Sequence, residues 1–84
     1  MREWLIIVQR WRHADRDWRT VDSFTVFGLD DMGRALLRGR QWDWRIVMQE
    51  VPHGEVVVWR GNGKEGVAVS LAKSSGGMSP PAAR

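Results

Sequence analysis

Apolar and polar positions follow three rhythms along the chain. Trp4-Leu5-Ile6-Ile7-Val8 is continuously apolar and rich in β-formers, and the run carries on through Trp11, predicting a strand over 3–12. His13-Ala14-Asp15-Arg16-Asp17 is a polar break suited to a turn, since Asp readily bonds its own backbone. Trp18 to Phe27 is again strand-like, so the two runs read as a β-hairpin. Between Gly28 and Gly39 the period changes. Leu29, Met32, Gly33, Ala35, Leu36 and Leu37 fill one arc of a helical wheel, and Asp30, Asp31, Arg34 and Arg38 fill the other. This predicts an amphipathic helix of about ten residues. It has acids in its first turn, an N-cap at Gly28 with Phe27 and Met32 as a hydrophobic staple, and Gly39 as its stop.

The two-residue period then returns. Trp42, Trp44, Ile46 and Met48 alternate with Asp43, Arg45 and Gln49, the mark of a half-buried strand. Pro52-His53-Gly54 is a turn, and Glu55 to Arg60 forms a fourth strand that is apolar on both faces. A glycine-rich turn over 61–66 leads to a fifth strand around Val67, Val69 and Leu71. The order β-β-α-β-β-β predicts a small α+β domain over 1–72, a mostly antiparallel sheet with one short helix on one face. A curled, barrel-like sheet is the alternative. Residues 73–84, rich in Ser, Gly and Pro, read as a disordered C-terminal tail.

This order leaves a sheet face to cover. Pairing the hairpin so that Arg10 faces Asp22 puts Ile6 with Val26 and Val8 with Phe24 on one face, alongside Trp4. The other face carries Leu5 with Phe27 and Trp11 with Val21, with Ile7 between them. Strands that are apolar throughout belong in sheets covered on both sides, and one short helix covers only one. Leu5, Trp11, Val21 and Phe27 are therefore the candidate partner-binding residues. Sheet closure, a second copy or another protein must cover them.

Composition narrows the functional classes. With 84 residues there is room for one domain. Cysteine is absent, which excludes disulfides, thiolate nucleophiles and cysteine-ligated metals and favours a reducing compartment. The apolar run at residues 4–8 is shorter than the about 7–15 residues of a signal-peptide core, so a cytoplasmic protein with no membrane partner is expected. The net charge of +3 is scattered, with no three bases in a row, which is a mild positive field and no basic arm.

No constellation points to catalysis. Gly61-Asn62-Gly63-Lys64 lacks the spacing and following helix of a phosphate loop and reads as a turn. His13 and His53 sit in predicted turns without further metal ligands at suitable spacing. Asp15 and Asp17 fit the turn, and Asp30 and Asp31 fit the helix start. The expectation is no enzyme, no cofactor and no metal. The charged side chains do offer an alternative. Trp-Arg occurs at 11–12, 18–19, 44–45 and 59–60, and aromatics with arginines bind single-stranded nucleic acid when they share a face. Neighbours on a strand point to opposite faces, which opposes that use. The candidate nucleic-acid contacts are Arg10, Arg12, Arg16, Arg19, Arg45 and Arg60.

Eleven of the thirteen basic residues are Arg, and there are 6 Trp but no Tyr. This bias fits GC-rich coding, and Trp and Arg are also the residues enriched at interface hot spots. In bulk character alone the chain resembles the accessory proteins carried by phages of GC-rich bacteria. The resemblance implies a modulator or inhibitor that binds a host protein. A protein partner or a second copy is therefore the first expectation, and DNA or RNA the second.

Overall fold

In the computed structural model, which describes residues 1–71, the first apolar run forms β1 (Arg2–Arg12) and returns as β2 (Asp17–Gly28). A short helix, α1 (Met32–Leu36), precedes β3 (Trp44–Glu50), β4 (Val56–Arg60) and β5 (Val67–Leu71). The strands make one five-stranded sheet in the order β2-β1-β3-β4-β5, antiparallel at every junction. The α+β class and the element order expected from the sequence are those observed. The sheet is open and has two edges, so the barrel alternative does not form. The tail expected over 73–84 lies outside the described residues.

One face of the sheet makes the core. Trp4, Ile6, Ile46, Met48, Val57 and Trp59 are buried there, and Leu37, just after α1, closes over them. All six strand residues point to the same side, because antiparallel partners share a face and alternate residues along a strand do too. Burial of each such side chain is worth about 1.5–3 kcal/mol, which makes this cluster the main source of stability. α1 lies across β3 and β4. It comes close because Gly33 has no side chain: a Cβ there would overlap the indole ring of Trp59. The Trp4 indole N–H, buried with its ring, donates to the carbonyl of Gly28 at 3.2 Å.

Four local expectations are corrected. The helix is five residues, not ten, and its N-cap is Asp31, so no acid lies in its first turn. It stops early because the carbonyl of Arg34 accepts the Gly66 N–H at 2.8 Å, while Arg38 bonds back only to Ala35. The Phe27 staple does not form, since Phe27 is 70% exposed. Trp42 lies outside the third strand: the Trp44 N–H bonds the Gln41 carbonyl at 3.0 Å in a turn, leaving Trp42 53% exposed.

The hairpin register is also displaced. Ile6 faces Phe24, Trp4 faces Val26 and Leu5 faces Thr25, two residues from the expected pairing. A shift of two keeps the side chains of residues 22–28 on their faces, so the division between faces survives over that stretch. Val21 is then the extra residue of a β-bulge at Val8/Gln9. Beyond it Arg10 faces Arg19 and Trp11 faces Trp18 instead of Val21.

Candidate interaction face

The face away from α1 is built in rows, because each antiparallel partner sits directly opposite the next. The row nearest the hairpin turn holds Trp18 and Trp11. Next comes a polar row, Thr20, Gln9, Arg45 and Arg60, running from β2 to β4. Then follows Ser23, Ile7, Val47 and Val58, and after it Thr25, Leu5, Gln49 and Val56. Phe27 and Glu3 form the last row. Leu5, Ile7, Val47, Val56 and Val58 make one contiguous apolar block, each of them half-buried. Among the described residues no helix covers it, since α1 lies on the opposite side.

The polar row is hydrogen-bonded across the strands. Arg45 Nε donates to Gln9 Oε1 at 2.6 Å, and Gln9 Nε2 donates to Thr20 Oγ1 at 3.3 Å. Arg60 Nε donates to the Trp42 carbonyl at 2.7 Å. Both guanidiniums stand over the indole of Trp18, at 4.5 Å and 4.8 Å from its centroid. Trp11 meets Trp18 edge-on at 5.5 Å, and His13 links Trp11 to Trp42 through two further edge-on contacts. Burial, reinforced by the neighbouring Arg60 charge, pushes the Arg45 guanidinium below its ordinary pKa. Arginine remains charged all the same, so the row holds two adjacent cations. No carboxylate pairs with either of them among the described residues.

The candidate partner-binding residues therefore divide. Leu5, Trp11 and Phe27 share the far face, as expected. Val21 does not pair with Trp11: as the extra residue of the bulge it lines a groove on the helix side with Val8, Phe24, Leu36 and Trp44, and a second one with Trp11 and Thr20. Val47, Val56 and Val58 join Ile7 on the far face; the apolar run of the fourth strand signals Val56 and Val58, and Val47 lies on the alternating third strand.

The six candidate arginines divide as well. Arg45 and Arg60 lie together on the far face. Arg10 is on the helix side, paired with Asp43 at 3.4 Å and facing the Trp44 ring, which Arg40 also approaches to 4.0 Å. Arg12 and Arg19 both hold Asp15, and Arg16 occupies the hairpin turn with a φ of +52°. No single surface gathers all six. Adjacent Trp and Arg do point apart, but strand order brings Trp18 onto the same face as Arg45 and Arg60. Only the sheet topology reveals that proximity.

At the other end of the sheet, Arg2 bridges Glu50 and Glu55, at 3.6 Å and 2.9 Å. Its pKa is raised first by the hydrogen bond it donates to Glu55 and then by the Glu50 charge. Among the described residues no group of three or more His, Cys, Asp or Glu is placed to hold a metal, and no helix is long and apolar enough to cross a membrane. Set against family models, curated proteins and solved structures, the chain finds no match in any of the three.

Proposed function

We propose that the chain is a non-enzymatic, cytoplasmic interaction protein that docks on another folded protein through the far face of its sheet. Such a role fits the phage accessory modulators that its composition resembles. One observation carries this reading. Leu5, Ile7, Val47, Val56 and Val58 form an apolar block with no layer over it among the described residues, and a bare apolar sheet face on a small domain is an interface feature. The flanking aromatic and guanidinium groups supply the residue types that dominate interface energetics. The scattered positive charge would speed encounter with an acidic partner.

The test compares two baits in a host lysate treated with nuclease: the wild-type chain and Val47→Lys. Capture of a defined protein by the wild type and its loss with a folded Val47→Lys bait supports the reading. Equal capture by both baits contradicts it.

A second reading rests on Arg45 and Arg60 sharing a face with Trp18, which suits single-stranded nucleic acid. Two phosphate contacts would give a log–log salt slope of about −1.4 for a single strand, a shallow dependence. Sequence-selective binding at micromolar concentration in physiological salt would put this reading first.

A further inference from the structure

We infer that the occupant of the far face is a second copy of this chain, packed sheet to sheet about a two-fold axis. This inference rests on the docking-face reading and names its partner. The far face is self-complementary in charge along β1. Glu3 stands near one end, on the far side of the strand from Trp4, and makes no ion pair among the described residues. Gln9 stands near the other end, and Arg45 and Arg60 extend its row with two unpaired cations. Glu3 and Gln9 are equally distant from Ile6, and at about 3.3 Å per residue they are about 20 Å apart.

A two-fold axis crossing the strands between the two sheets at the level of Ile6 reverses the strand direction of the second copy. Glu3 of each copy then lies over the partner's Gln9, beside the partner's Arg45. Apolar groups meet near the axis, because Leu5 lies over the partner's Ile7 and Val56 over the partner's Val58, while Val47 lies over the partner's Gln49 between them. The same operation carries Phe27, 70% exposed, towards the partner's Thr20 and Trp18. Glu3, Phe27 and the Leu5–Ile7 pair thus find counterparts on a copy of the same face, as an isologous contact requires.

The size is adequate. The molecule measures 33 × 32 × 23 Å, and its broad side can supply the roughly 800 Å² per partner of a standard interface. Packed antiparallel sheets lie about 10 Å apart with strands inclined by about 30°, within reach of a glutamate and an arginine approaching from opposite sides. The contact also eases the Arg45–Arg60 repulsion, since a carboxylate from the facing copy offsets one of the two charges.

Charge reversal with rescue tests the arrangement, read by sedimentation equilibrium from micromolar to millimolar protein, with circular dichroism to confirm folding. The wild type is expected to dimerise. Glu3→Arg should raise the dimer dissociation constant by about tenfold or more, and Glu3→Gln should do so to a lesser extent. Combining Glu3→Arg with Arg45→Glu should recover most of the loss. A wild type that stays monomeric overturns the inference, whether or not it binds single-stranded DNA. So does a dimer indifferent to Glu3, or one that the paired reversal fails to rescue. Nuclease-resistant, Val47-dependent capture of a different protein by a monomeric wild type would leave the docking-face reading standing while this inference falls.

Discussion

Arg45 and Arg60 stand directly opposite each other on adjacent strands, and no carboxylate pairs with either among the described residues. Like charges directly opposite in a sheet oppose folding. Here Gln9 Oε1, the Trp42 carbonyl and the Trp18 ring offset part of that repulsion. Arg60→Met should therefore change folding stability by no more than about 0.5 kcal/mol, in either direction, while weakening association through the far face. Urea unfolding and sedimentation measured on the same preparation separate the two effects. A loss of several kcal/mol would mean that the pair serves the fold.

The closeness of α1 to the sheet gives a second expectation. A Cβ at Gly33 would overlap the Trp59 ring, so Gly33→Ala should destabilise by about 1–3 kcal/mol despite the better helix propensity of alanine. For a domain of this size that is a fall of at least about 4 °C in Tm. An unchanged or higher Tm would show that α1 does not sit against Trp59.

Gly39 isolates a backbone effect. Its φ is +79°, and a Cβ there would meet nothing within 4 Å. Gly39→Ala should cost about 1 kcal/mol or more from the left-handed backbone alone, and Gly39→Asn distinctly less. Thermal melts of the two variants side by side check this. Equal melts would place the residue in an ordinary conformation.

Much of the architecture was legible because it follows from periodicity. The alternation of Trp44, Ile46 and Met48 marked the core side of the third strand, and continuous runs at Leu5–Val8 and Val56–Val58 foretold a sheet with apolar residues on both faces. What escaped depends on contacts distant in sequence. The helix ends where Gly66 takes the Arg34 carbonyl, a bond across the chain that no local pattern records. The bulge at Val21 moved one candidate residue to the helix side, because turn geometry and not hydrophobicity sets the hairpin register. The joining of Trp18 with Arg45 and Arg60 needed the strand order β2-β1-β3-β4, which composition cannot supply.

The aromatic end of the face should matter to stability less than the core does. Trp4 is fully buried and hydrogen-bonded, so Trp4→Ala should cost about 3–5 kcal/mol and leave little folded protein. Trp18→Ala removes one edge-on ring contact and two cation–π contacts from a half-exposed site, and should cost about 1–3 kcal/mol. Denaturant unfolding followed by far-ultraviolet circular dichroism ranks the two. The reverse order would relocate the core to the Trp18 side.

Neighbouring residues on β3 test the division of the sheet most directly, because Ile46 is buried against the core and Val47 faces the other way. The decisive measurement is a thermal melt combined with sedimentation for Ile46→Lys and Val47→Lys. Ile46→Lys should abolish folding, since it places an unpaired charge in the core. Val47→Lys should remain folded, with a Tm no more than about 4 °C below that of the wild type at concentrations where the wild type is monomeric, and should no longer associate. A Val47→Lys variant that unfolds like Ile46→Lys, or that stays folded and associates as the wild type does, would contradict the assignment of the far face to docking.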